Sequence, residues 1–364
     1  MSVLDQSQNQ DTQNEEDVYF NFINSIKSEV TKRIYENDIK LYLKFCNLTK
    51  LSELLMITDP QKQMIKYIMS LRKKGLATNS ISTLLNGIYH FYEMNDIPLN
   101  KKKINMFKGE FTGKVIDRSY THEEIRKVLD VSDLRMKVMI LLMASSGMRI
   151  GALPSLRLRN LEKIDSIYKI TVYEGTNSSY YTFCTPECSS FIDAYFEYRT
   201  QNGEKLDNDS FLIRDQFDMT DLEQIRNKSK GITINTMESI VGIILLKAGL
   251  RTLDHISKSK RKEVAKCHGF RKFFTTQAVN SKVNPEIREM LLGHKIGLVT
   301  RYYKPTEQEM YEEYQKAIDS LTINEENRLR KKVKILEIEK SRLDQLELSL
   351  KKLEEKYHKQ RSLI

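Results

Sequence analysis

The sequence predicts a mainly α-helical α+β protein: a small helical domain, a larger mostly helical domain carrying one short antiparallel β-hairpin, and a separate helical tail. Three patterns carry this reading. Apolar residues recur at helical spacing through most of 18–316, as in Ile81, Leu84, Leu85, Ile88, Tyr89 and Tyr92. A single stretch, Tyr168 to Thr185, has strand-like character around a turn signal. After Asn324 leucines recur every seventh position.

Taken in order, residues 1–17 are rich in Gln, Asn, Ser, Asp and Glu with almost nothing apolar, too little to offset the entropy of ordering, so a disordered lead is expected. Residues 18–112 form the small helical domain, which ends after Pro98 in Lys101, Lys102 and Lys103 and a linker reaching Gly113. The larger domain, 113–316, opens on Thr121-His-Glu-Glu124, where the Thr121 hydroxyl accepts from first-turn amides and Glu124 reaches back. Its most apolar helix covers Val138 to Ala144. In the hairpin, Ile170, Val172 and Tyr173 lead into Glu174-Gly175-Thr176-Asn177, and Tyr180 to Phe183 lead out to Pro186. The tail, 317–364, places Leu329, Leu336, Leu343, Leu350 and Tyr357 on one seam with Leu346 and Leu353 beside it. Lys332 and Glu339 interrupt the earlier half, so the last three heptads read as coiled coil, against the alternative of a solvated helix packed on its own protein.

The chain has 364 residues, enough for two or three domains. Its net charge of +10, on a composition 30% charged, suits a polyanionic partner, with nucleic acid ahead of an anionic membrane. The apolar runs Val138–Met143 and Ile240–Leu246 are far too short to span a bilayer, and no signal peptide is recognisable, so a soluble cytoplasmic, DNA-associated protein is expected. Cys46, Cys184, Cys188 and Cys267 lack a repeated spacing, which argues for reduced thiols. A zinc set of Cys184, Cys188, Cys267 and His268 is disfavoured because adjacent Cys267 and His268 diverge on a helix. No metal or cofactor is expected.

Five side chains stand out. Arg149 follows the apolar helix in Ser-Ser-Gly-Met-Arg-Ile-Gly. His268 and Arg271 lie three apart in Cys-His-Gly-Phe-Arg-Lys and share a helix face. His294 ends Leu-Leu-Gly-His, and Tyr303 follows it by nine residues. Each has a bland reading: a core salt bridge for Arg149, a solvated charged face for the pair, a helix C-cap for His294, and amphipathic packing for Tyr302 and Tyr303. Together they supply what phosphodiester exchange requires. Two guanidiniums hold the equatorial oxygens, a base takes a phenolic proton, and the phenolate attacks phosphorus to store the ester bond without ATP. Adjacent helical residues point about 100° apart, so only one of the two tyrosines can enter such a pocket.

In this order, Arg, His-x-x-Arg, Leu-Gly-His and Tyr resemble the tyrosine recombinase (phage integrase) family over roughly residues 18–305. The resemblance implies a helical core-binding domain and a mostly helical catalytic domain on opposite sides of duplex DNA. It also implies two copies per site in a tetrameric synapse, and no cofactor. It assigns Tyr303 as the nucleophile that forms a 3′-phosphotyrosyl intermediate, Arg149 and Arg271 as the phosphate ligands, and His268 and His294 as assisting groups. The family usually places a lysine in the hairpin turn to protonate the departing 5′ oxygen, where this chain has Glu174 to Asn177; Lys169, one strand earlier, is the substitute. Ala152 stands where many members carry an acidic residue. Lys101, Lys102, Lys258, Lys260 and Lys262 are candidate phosphate contacts, with affinity expected to fall with salt. The alternatives are a type IB topoisomerase-like nicking and closing enzyme, or a DNA-binding protein whose recombinase site has decayed.

Overall fold

The computed structural model describes residues 15–110, 117–215, 221, 223, 230–252, 263–295, 297 and 302–361. The chain divides into two compact units, Met1–Lys114 and Val115–Ile364.

The first unit is helical throughout its described residues: α1 (15–24), α2 (Glu29–Cys46), α3 (Leu51–Leu55), α4 (Pro60–Lys73), α5 (Thr78–Met94) and α6 (Lys101–Asn105). Local chemistry starts these helices. The Ser28 hydroxyl accepts from the Thr31 amide ahead of α2, and Asp59 accepts from Lys62 ahead of Pro60 in α4. Tyr42, Tyr92, Phe22, Phe91 and Met64 fill the core. The polar lead stops earlier than its composition suggests. Residues 15–17 already belong to α1, whose Val18 and Phe22 are buried, and the Glu15 carboxylate accepts from the Leu51 and Ser52 amides at 2.6 and 2.8 Å. One carboxylate thus serves the first turn of α3 and holds α1 down.

The second unit is built around α8 (Leu134–Ser146), in which every residue from Val138 to Ser146 is buried. Before it, α7 (His122–Asp130) carries both arms of the expected capping box: Glu124 N–H donates to the Thr121 hydroxyl at 3.1 Å and Thr121 N–H to the Glu124 carboxylate at 2.8 Å. After it come β1 (Leu161–Ile164), β2 (Ile167–Val172) and β3 (Tyr180–Phe183), an antiparallel sheet in chain order. The expected hairpin is β2–β3, with Ile170 opposite Thr182 and Lys169 opposite Phe183. Strand β1 is an addition. Its Leu-Glu-Lys-Ile sequence offers two charges and two half-buried residues, too short an alternation to be read as a strand.

The remaining helices are α9 (Pro186–Gln201), α10 (Ile234–Lys247), α11 (His268–Asn280), α12 (Pro285–Leu291), α13 (Glu307–Leu321) and α14 (Glu325–Arg361). Helices α9 and α11 pack on α8. The C-terminal end of α8 is tied from two sides, with the Tyr314 hydroxyl donating to Ser145 O at 2.9 Å and the Thr182 hydroxyl to Ser146 O at 3.1 Å. After α9, buried Arg199 forks onto Glu204 at 2.7 and 2.9 Å and also donates to the Phe211 and Leu212 carbonyls, while Arg214 reaches Glu204 at 2.8 Å.

The boundary expected at 316 falls inside α13, which continues to Leu321. The break comes at 322–324, where the buried Glu187 carboxylate accepts from the Ile323 and Asn324 amides at 2.7 and 3.0 Å. Helix α14 then leaves Leu329, Val333, Leu336, Leu343, Leu346 and Leu350 exposed at 52–61%. Over these residues the apolar stripe is not packed on its own protein; the side chains of Leu353 and Tyr357 lie outside the described residues.

Candidate active site

Helix α8 ends at Gly147, left-handed at φ 66°, and a side chain there would place Cβ 2.5 Å from the Phe274 ring. The turn sends Met148 into the core and Arg149 outward. The Arg149 guanidinium makes no ion pair with any described residue, so the internal salt bridge that its position suggested is not formed.

Helix α11 opens on His268 and places Arg271 almost one turn further on, 5% exposed. The Arg271 guanidinium donates from Nη1 to Gly147 O at 2.6 Å, and from Nη2 to Leu292 O and His294 Nε2, both at 2.7 Å. All three partners are neutral acceptors. Burial works against its charge and nearby Arg149 adds to this, so its pKa is lowered from the usual arginine value. A buried cation with neutral partners, beside a second cation, is an incomplete charge arrangement that an anion completes.

His294 is placed by the end of α12. Gly293 N–H donates to Met290 O at 2.8 Å and His294 N–H to Glu289 O at 2.9 Å, a Schellman closure with Gly293 at φ 67°. Glu289 serves twice, since its carboxylate also meets His294 Nδ1 at 2.6 Å. With a carboxylate at Nδ1 and a guanidinium at Nε2, the neutral ring carries its proton on Nδ1 and accepts through Nε2. Gly293 is required for a second reason, because a Cβ would fall 2.4 Å from the Tyr180 ring.

The His268 pKa is lowered, first by burial and then by Lys272, Arg271 and Arg149, while Asp117 pulls it up. A neutral imidazole at pH 7 suits a proton acceptor. Asp117 is ion-paired with Lys272 and bears on His268, so a carboxylate is present although Ala152, buried in the core, cannot supply one.

Arg271 and His294 are in direct contact, and Arg149 and His268 lie within their electrostatic reach. Tyr303 has different neighbours. It packs partly buried against the core; its phenol is raised by burial and then by Glu309, Glu313 and Glu286, so the charges that bear on it among the described residues are carboxylates. Tyr302 is 86% exposed while Tyr303 is partly buried, and Tyr303 itself lies outside any described helix.

Lys169 is held by Glu162 at 2.6 Å and Glu307 at 2.7 Å; burial opposes its charge, but the two carboxylates outweigh this and raise its pKa. In the hairpin turn, Glu174 accepts from Arg159 at 3.0 Å and Asn160 at 2.8 Å. In the first unit Lys101 pairs with Glu93 at 2.9 Å and Lys102 is exposed on α6; Lys258, Lys260 and Lys262 lie outside the described residues. Sequence reasoning missed Glu289, Asp117 and Tyr180. Glu289 was the findable one, because it stands five residues before His294, the spacing that a Schellman closure joins.

Among known proteins, the tyrosine recombinase XerA of Pyrococcus horikoshii is 22% identical over 255 residues, covering 70% of this chain and 79% of its own. A lambda integrase dimer bound to a COC′ core site shares the fold at TM-score 0.53 and 14% identity, over 81% of this chain and 98% of that one. The XerH site-specific recombinase bound to difH substrate does so at TM-score 0.51 and 16% identity, over 78% of each chain. The model of the phage integrase family matches residues 118–309, more than half the sequence and a range that includes Arg149, His268, Arg271, His294 and Tyr303, and this chain belongs to that family.

Proposed function

We propose that the protein is a site-specific DNA recombinase that cleaves and rejoins strands through a 3′-phosphotyrosyl intermediate. The observation that carries this reading is the Arg271 guanidinium, buried on three neutral acceptors beside Arg149, which makes no ion pair with any described residue. Three of its five N–H groups are used, which leaves two for an anion. The scissile phosphate binds Arg271 and Arg149; His268 takes the phenolic proton; Tyr303 attacks phosphorus in line. His294, fixed at Nδ1 by Glu289, orients Arg271 through Nε2 and reaches a non-bridging oxygen only after that contact exchanges. In this reading Tyr303 leaves the carboxylates of Glu286, Glu309 and Glu313 when DNA binds, because a phenolate forms more readily beside cations than beside anions.

The partner is duplex DNA, contacted by residues 18–112 and by residues 113–316, with Lys101, Lys102, Lys258, Lys260 and Lys262 as phosphate contacts. Two copies bind each site and two sites form the synapse. The exposed leucines of α14 support self-association of the tail as a coiled coil. No cofactor enters the reaction.

A suicide duplex nicked near the scissile phosphate tests the reading. Wild type accumulates a covalent adduct that Tyr303→Phe does not form; a wild type that forms none contradicts strand cleavage. The pinned Lys169 favours one rival, a decayed site that only binds DNA, and the same trap decides it.

A further inference from the structure

One atom in the proposed reaction has no assigned donor among the described residues. When Tyr303 displaces the 5′ oxygen, that oxygen departs as a strongly basic alkoxide unless a proton reaches it. The hairpin turn offers Glu174 to Asn177, and Lys169 is committed to two carboxylates.

Tyr180 is a second phenol beside the two site arginines. It opens β3 opposite Val172, its ring lies against Gly293, and its nearest aromatic neighbour is Tyr173 at 6.3 Å between ring centroids. Its hydroxyl is buried and has no partner of full hydrogen-bond geometry among the described residues, but it faces the Arg271 guanidinium as a looser hydrogen-bond neighbour, and Arg149 also bears on it. A buried unsatisfied hydroxyl costs about 1–3 kcal/mol, and phenylalanine would fill the same space without that cost. Guanidiniums only donate, so the phenolic proton has no acceptor among the described residues and is placed for one that arrives with the substrate.

We propose that the Tyr180 hydroxyl gives its proton to the departing 5′ oxygen, a role that rests on the strand-cleavage reading above. The Tyr303 oxygen forms its bond to phosphorus, and the bond from phosphorus to the 5′ oxygen breaks with its electron pair going to that oxygen. The Tyr180 proton follows, leaving a 5′ hydroxyl and a Tyr180 phenolate beside Arg271 and Arg149. Religation runs the same path backwards, the attacking 5′ hydroxyl returning the proton to Tyr180. Burial raises the Tyr180 phenol from its ordinary value and Arg271 pulls it back, so the group is protonated at neutral pH and its phenolate is stabilised where it forms. An alkoxide is far more basic than a phenolate, so the transfer runs downhill.

The test uses the full chain on a duplex site selected from a random-sequence pool by binding. That site is made with the natural oxygen or with sulfur at the bridging 5′ position; a thiolate leaves without a proton. Tyr180→Phe is expected to slow adduct formation about 100-fold or more on the oxygen substrate and to stay within about threefold of wild type on the sulfur one. Its melting temperature is expected to stay close to that of wild type, since the ring is kept and only the buried hydroxyl is removed. Equal slowing on both substrates, or none on either, overturns the assignment, as does sulfur rescue of Lys169→Ala in place of Tyr180→Phe. A wild type inert on both substrates overturns strand cleavage itself, an outcome distinct from an active wild type whose Tyr180→Phe variant is not rescued.

Discussion

At the scale of single residues, the site is a set of charges balanced by neutral contacts, and its pH response follows from them. His268 is lowered from the usual histidine value, first by burial and then by Lys272 and Arg271, with Asp117 opposing. If it accepts the Tyr303 proton, adduct formation is flat through neutral pH and falls as acidity protonates the imidazole, below pH 6.5. Asp117→Asn removes the group that raises the His268 pKa and releases Lys272, so the acid limb moves to lower pH. A pH–rate profile of the trap reaction on both proteins checks this; an unmoved limb means that another group titrates. The residue types were legible in the sequence, because each belongs to a short motif with a chemical purpose. Their neighbours were not, since Asp117 and Tyr180 reach the site through folding contacts across many residues, and nothing local to Tyr303 announced the carboxylates around it.

At the scale of elements, the features read correctly are those written in a few consecutive residues. The Thr121–Glu124 capping box and the β2–β3 hairpin are local, and both stand in the structure. Strand β1 was missed although its partner is local, pairing with β2 from Ile164–Ile167 to Leu161–Ile170, because four residues show too little alternation; the end of α13 depends on a partner far along the chain, Glu187, just beyond Leu321. The buried Arg199–Glu204–Arg214 cluster was equally hidden, as nothing in sequence marks three charges for the interior. It carries a stability prediction. Glu204→Gln keeps the shape but takes from fully buried Arg199 the carboxylate that it forks onto, and it is expected to destabilise the second unit by about 3–5 kcal/mol in denaturant unfolding. A loss under about 1 kcal/mol would mean that the carbonyls of Phe211 and Leu212 suffice for Arg199.

At the scale of the whole molecule, the net charge of +10 and membership of the phage integrase family point to DNA, and α14 points to other copies of the chain. No helix among the described residues is long and apolar enough to cross a membrane. The heptads were legible, but not whether their leucines faced the protein's own body; the exposed stripe answers that for Leu329 to Leu350. Leu343→Lys combined with Leu350→Lys is expected to lower the mass of the DNA-free protein in light scattering, or of its DNA complex, while leaving thermal unfolding of the two units unchanged. Unchanged mass in both states would remove the tail from assembly. The central claim is strand cleavage by Tyr303 at the Arg149–Arg271 phosphate site. Its most direct measurement is peptide mapping of the protein trapped on a nicked duplex. The DNA 3′ phosphate is expected on Tyr303 and absent from Arg271→Ala; linkage to Tyr302, attachment through a 5′ end, or no covalent product would contradict it.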